Sequence, residues 1–152
     1  MFVPQLKHVA ELRVSVGEPI TIGETRDGLR RIIPITGGSI SGPLLSGHVV
    51  PGGADYQLIR SDGFTTLDAR YAVELDDGAL IYIVNVGVRS GPQAVMDRIT
   101  RGEVVDPGEV YFRTTPSFET AAPGYQWMTT GLFVCSGARY PDRVELNIFV
   151  VE

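Results

Sequence analysis

Reactive and metal-binding side chains are scarce in this chain: one cysteine, two histidines and one tryptophan among 152 residues. Cys135 alone allows no intrachain disulfide, which suits a reducing cytoplasm. His8 and His48 make no ligand cluster, so no metal is expected. Basic runs are missing too. Nothing exceeds the Arg30-Arg31 pair, and a net charge of -5 argues against binding to nucleic acid or to an anionic membrane. No apolar run reaches the length of a membrane helix, and Met1-Phe2-Val3-Pro4-Gln5-Leu6-Lys7 lacks the apolar stretch of a secretory signal. There is no Gly-x-Gly-x-x-Gly, Walker loop, Gly-x-Ser-x-Gly or His-Glu-x-x-His. Gly37-Gly38 leads into neither a lysine nor a helix start, so it is not read as a phosphate loop. A cytoplasmic protein without a cofactor is expected.

What the chain does have is glycine and proline at turns, and alternation between them. Strand-like segments are Leu6–Val14, Gly28–Ile35, Ser39–Val50, Asp55–Arg60, Thr65–Leu75, Ala79–Val88, Val110–Arg113, Thr129–Tyr140 and Arg143–Val151, joined by short Gly, Pro and Asp turns. One helix is expected after Ser90 or Gly91 as cap. Pro92 suits its first turn, Val95, Met96 and Ile99 form its apolar stripe, and Gly102 ends it. No composition shift or linker divides the chain, so residues 1–152 are read as one domain. The fold class is all-β: an antiparallel, closed or nearly closed barrel with one short α-helix.

The hairpin around Asp77-Gly78 carries the sharpest expectation. As a two-residue turn it sets Leu75 opposite Leu80, Tyr71 opposite Val84 and Leu67 opposite Val88. One face is then almost wholly apolar. The other brings Asp68, Arg70, Asn85 and Arg89 together beside Gly87, whose missing side chain leaves room. Those polar residues form either a solvated outer face or a lumen in which arginines clamp an anion and Asp68 orients them or moves a proton. By this register Tyr71 lies opposite the charged face, which makes it the weakest of the pocket residues.

Asp55 and Gln57 share one side of a strand and, with His48, meet across Pro51–Gly53; Asp55 is a turn residue or a carboxylate at a barrel mouth, and His48 a structural histidine. Thr115–Thr120 and Pro123–Trp127 read as a proline-broken loop. There, aromatic walls around Glu119 could raise its pKa for acid–base work, or the segment could simply plug the barrel end. Cys135, mid-strand between Phe133 and Gly137, reads as a buried inert thiol.

Arg30–Gly38, Gly42–Gly47, Pro51–Gln57, Leu67–Tyr71 and Phe118–Thr120 resemble, in the same order, the family catalogued as domain of unknown function 3237. The resemblance covers nearly the whole chain. It implies a small barrel of about 8–10 strands, similar to calycins and to allene oxide cyclase. The family often has tryptophan where this chain has Tyr56. Asp55, Asp68, Arg70, Arg89, Glu119 and Trp127 match its motif positions, which favours a lumen site.

The function expected is that of a cofactor-independent acid–base enzyme, an isomerase, cyclase or lyase, on a small carboxylate- or carbonyl-bearing substrate. Asp55, Asp68 or Glu119 would move the proton, and Arg70 and Arg89 would hold a carboxylate or enolate. Asn85, Gln57, Tyr71, Tyr125 and Trp127 would complete the binding site. A non-catalytic binding barrel and an assembly protein with a charged subunit interface remain open, as does a homo-oligomer. No nucleic-acid or membrane partner is expected.

Overall fold

Period-two alternation needs a partner strand on each edge, and a ring supplies both. The computed structural model describes residues 1–152 and contains nine strands. They are β1 (Leu6–Val16), β2 (Ile20–Thr25), β3 (Gly28–Ser41), β4 (Gly47–Ile59), β5 (Thr65–Leu75), β6 (Leu80–Ser90), β7 (Tyr111–Glu119), β8 (Phe133–Tyr140) and β9 (Arg143–Val151). Helix α1 (Gln93–Thr100) follows β6, and a single turn, α2 (Trp127–Thr130), precedes β8. All pairings are antiparallel, in the order β1-β9-β8-β7-β6-β5-β4-β3-β2. Pairing of β1 with β3 closes a ring of eight strands and leaves β2 outside it. The fold class is as expected. No helix is long and apolar enough to cross a membrane.

β3 makes closure possible. Its first half pairs with β2 and its second half with β1, so it must change neighbours midway. Gly37 and Gly38 sit at that corner with φ of 150° and 131°. A Cβ on Gly38 would lie 2.0 Å from the Arg13 carbonyl oxygen. Only glycine lets β3 bend onto β1 here. The expected break at Thr36–Gly38 is therefore a bend within one strand. Pro51–Gly53 is likewise a bulge inside β4, where the register to β5 shifts between Val50 and Ala54. β2 was absent from the expected strands, and Thr115–Glu119, read as loop, continues β7. Pro116 is tolerated there because β8 pairs with β7 only at Arg113 and Thr114, leaving β7 without that neighbour further on.

The β5–β6 hairpin corrects the expected register by one residue. Three residues, Asp76-Asp77-Gly78, form the loop: Gly78 N–H donates to Leu75 O at 2.8 Å, and Leu75 N–H to Ala79 O at 2.8 Å. Gly78 adopts φ +88°, the positive-φ position of a three-residue hairpin. Tyr71 now faces Ile83 and Leu67 faces Gly87. The slip turns β6 over. Ile81, Ile83, Asn85 and Arg89 point inward with Leu67, Tyr71 and Val73, while Leu80, Tyr82 and Val86 are exposed. Gly87 opens no room either. A Cβ there would meet the Arg113 carbonyl oxygen at 2.3 Å, so the glycine lets β7 approach closely.

A core of 21 buried residues fills the barrel around Leu12, Ile40, Val49, Ile81, Ile83 and Ile148. The β5–β6 hairpin end is sealed by Phe118, Met128 and Phe133. α1 caps the other end over its own small cluster of Val95, Met96, Ile99 and Val105. No side chain caps α1. The carbonyl of Pro92 accepts from Val95 and Met96 instead, while Gly102 ends the helix as expected. Arg31 Nη1 donates to the last helical carbonyl, Thr100 O, at 3.0 Å, and Gln93 Nε2 to Ser61 O at 2.8 Å, which fastens helix to barrel.

Candidate functional site

Strand parity sends side chains of β4, β5, β6, β7 and β8 into a cavity beneath the α1 end. The cavity and its open mouth together hold about 530 Å³ free of protein atoms. Its polar lining is Asp55 and Gln57 of β4, Asn85 and Arg89 of β6, Thr114 of β7 and Arg139 of β8. Tyr71 joins them from β5, and β1, β3 and β9 supply valine, isoleucine and leucine.

Arg89 dominates the electrostatics. It is 3% exposed, its Nε has no hydrogen-bond partner, and its guanidinium lies 5.6 Å from the Phe112 ring centroid. Burial pulls its pKa down to about 10; Arg139 and Arg31 push the same way, and Asp55 opposes them. Burial also lowers Arg139, with Arg31 adding to the effect. Asp55 is the only carboxylate of the cavity lining. Burial raises its pKa above the ordinary value, against a lowering pull from the Asp68 N–H and from Arg89 and Arg139. The Asp68 backbone N–H donates to Asp55 Oδ1 at 2.9 Å, which fixes the carboxylate to the neighbouring strand. Tyr71 is fully buried, and its hydroxyl, pushed upward in pKa by that burial, has no partner. The site is thus a desolvated carboxylate beside an unpaired buried guanidinium. Such an arrangement attracts an anion, and burial makes the carboxylate a stronger base than an exposed one. A metal cation would meet the guanidinium groups, and no cluster of ligating side chains exists.

Of the residues singled out in the sequence, Asp55, Gln57, Tyr71, Asn85 and Arg89 meet in this cavity. The rest do not. Asp68 and Arg70 pair on the outer face, Nε to Oδ1 at 3.2 Å, with 40% and 53% of their side chains exposed. They share β5 with the inward Tyr71 but have the opposite parity, and the slipped register parts them from Asn85 and Arg89. His48 is exposed, opposite Ser39 and Glu74. Glu119 is exposed opposite Tyr82, and the Tyr125 hydroxyl donates to Asp77 Oδ2 at 2.6 Å. Trp127, 38% exposed, packs on Phe133 at 6.1 Å between ring centroids. These three sit at the hairpin end, away from Asp55, so the aromatic segment is a plug and gives Glu119 no apolar enclosure. Cys135 is 1% exposed, with its thiol pushed up to about 11 by burial.

Arg31, Thr114 and Arg139 escaped the sequence reading. Parity was the available signal: Arg31 alternates in step with Ile33 and Ile35, and Arg139 with Phe133 and Cys135. Because Asp68 lies outside, Asp68→Asn is expected to leave the thermal midpoint within about 1 °C of wild type and ligand binding unchanged. Calorimetry and titration of the variant check this, and a loss of binding would return Asp68 to the site.

Similar proteins share the whole architecture. A protein of Rhodopseudomonas palustris, UPF0311 protein RPA1785, is 47% identical over 147 residues, which cover 97% of this chain and 96% of that one. The crystal structure of RPA1785, described as a conserved protein of unknown function, superposes with a TM-score of 0.94 over 100% of this chain and 99% of that one. A beta-barrel like protein of Acinetobacter baumannii gives 0.88 at 37% identity, covering 100% and 98% of the two chains. A crystal structure described as an enzyme from Penicillium herquei has the same fold, with a TM-score of 0.73 at 19% identity and coverage of 98% and 95%. The family described as "Protein of unknown function (DUF3237)" matches residues 4–151, and this chain belongs to it.

Proposed function

We propose that this protein is a cofactor-independent acid–base catalyst, an isomerase, cyclase or lyase, acting in the lumen on a small substrate that carries a carboxylate or carbonyl group. The observation that carries the reading is the desolvated Asp55 carboxylate facing the same cavity as the unpaired, buried Arg89. Asp55 takes a proton from a carbon next to the carbonyl and returns it elsewhere, while Arg89 and Arg139 stabilise the charge that develops on oxygen. Gln57 and Asn85 orient the substrate. The lumen's arginines raise the acidity of the bound substrate, and burial raises the pKa of Asp55 above the ordinary carboxylate value, which strengthens it as a base. The likeness in fold to an enzyme from Penicillium herquei supports the reading at the level of scaffold. A reducing cytoplasm, where Cys135 stays a thiol, is its proposed setting.

Proton abstraction can be tested before the reaction is known. Small oxo acids and enones are incubated with the protein in deuterium oxide, and exchange of their activated C–H positions is followed by NMR. Exchange is expected to rise with pH through a midpoint above the ordinary carboxylate value of 3.8, because Asp55 acts as base when ionised. Ligands that bind without exchange would make the protein a binding barrel instead.

A further inference from the structure

The two kinds of lining occupy different arcs of the ring. Val144 and Leu146 of β9, Val14 of β1, and Ile33 and Ile35 of β3 form an unbroken hydrocarbon wall, since β9, β1 and β3 are consecutive neighbours. The polar groups come from the facing arc, β4 to β8. There the register sets them in rows: Arg89 opposite Phe112, Thr114 opposite Gly87, Asn85 opposite Ala69 and through it Asp55, and Tyr71 opposite Ile83. Successive rows are about 7 Å apart along a strand. Each row leaves one buried atom without a partner: Arg89 Nε, Thr114 Oγ1, Asn85 Oδ1 and Tyr71 OH; a fifth such atom, Arg31 Nε, lies on β3 outside the cavity lining. Folded proteins leave few such atoms. Here four of the five lie on one arc and face one cavity, so those four share one missing partner.

That partner's chemistry follows from the atoms. Arg89 only donates and carries a charge that no carboxylate neutralises by direct contact, so it needs an anion. Asn85 Oδ1 accepts, so it needs a hydroxyl or N–H. The valine and isoleucine wall needs hydrocarbon. We propose that the lumen binds a small amphiphilic hydroxy acid, its carboxylate on Arg89 and Arg139, its hydroxyl on Asn85, and its hydrocarbon flank against Val14, Ile35 and Val144. This rests on the lumen being the functional site, as proposed above, and adds the class and orientation of its ligand. An ester or amide of the same acid leaves Arg89 without a counter-charge and is excluded.

Three matched probes test it: mandelate, phenylacetate and phenylacetamide, titrated into the isotope-labelled full chain. The readouts are the side-chain Nε–H resonance of Arg89 and the methyl resonances of Val14, Ile35 and Val144. Both acids are expected to shift the Arg89 resonance, mandelate binding about fivefold more tightly than phenylacetate and the amide at least about tenfold more weakly than either. Asn85→Leu is expected to erase the difference between the two acids while keeping the binding of phenylacetate. If Asn85→Leu does not fold, the wild-type ranking of the three probes decides alone. An amide that binds as tightly as the acids overturns the hydroxy-acid class but leaves the lumen as the site. If no probe moves a lumen resonance, both the class and the lumen reading fall.

Discussion

Arg89→Met is expected to make the empty protein more stable and to abolish its binding of acids. Folding buries this guanidinium almost completely without an ion pair, and its pKa falls from the ordinary arginine value to about 10. That difference corresponds to about 3 kcal/mol of lost stability. The sign is that of a base depressed in the folded state: the penalty is fully present below about pH 10 and fades only as pH rises from there toward the ordinary arginine value. At neutral pH the variant should therefore gain about 2 kcal/mol, allowing for imperfect repacking, and melt roughly 5 °C higher. Methionine suits the site because its sulfur can keep contact with the Phe112 ring. Calorimetry of the unliganded variant checks the gain, and titration with acids checks the loss. A variant less stable than wild type would mean that Arg89 holds the barrel together and is not kept for a ligand.

Asp55→Asn is expected to separate chemistry from binding. Asparagine presents an oxygen where Asp55 Oδ1 accepts from the Asp68 N–H, so the local backbone is retained. It cannot take up a proton at neutral pH. Exchange or turnover should fall by about 10²–10⁴-fold, with acids still bound. Stability gives a second reading. Because the folded-state pKa of Asp55 is raised, its contribution is greatest below the ordinary value of 3.8 and is lost as pH rises through the higher folded value. The variant should lose that decline, which urea unfolding at a series of pH values would reveal. An unchanged exchange rate would remove Asp55 from the mechanism.

The barrel itself was legible because alternation, turn residues and the absence of long helical periodicity all agree. The site was legible only in part, for a reason that lies in β6. Both of its faces are apolar over Leu80–Val84, so hydrophobic pattern alone could not choose between a two-residue and a three-residue turn. Choosing Asp77-Gly78 and omitting Asp76 moved Asn85 and Arg89 to the face of Asp68 and Arg70. Asp55 and Gln57 survived because they lie on β4, whose parity does not depend on that turn. Arg31 and Arg139 were missed because an arginine in a strand reads as solvated, although each keeps step with apolar neighbours. The backbone bond from Asp68 to Asp55 had no sequence signal, since it depends on how β4 and β5 meet past the Pro51–Gly53 bulge.

Closure of the ring has a kinetic meaning. β1 must wait for β9, which is made long after it, and Gln5 and Glu152 then exchange backbone hydrogen bonds at 2.8 Å each. Until β9 is in place, β1 and β8 present unpaired edges and the lumen has no hydrocarbon wall on the β9 side. The growing chain can form the meander from β3 to β8 early, but the binding site comes into being only once β9 has docked between β8 and β1. A chain arrested before β9 would therefore expose the edges of β1 and β8 instead of a pocket.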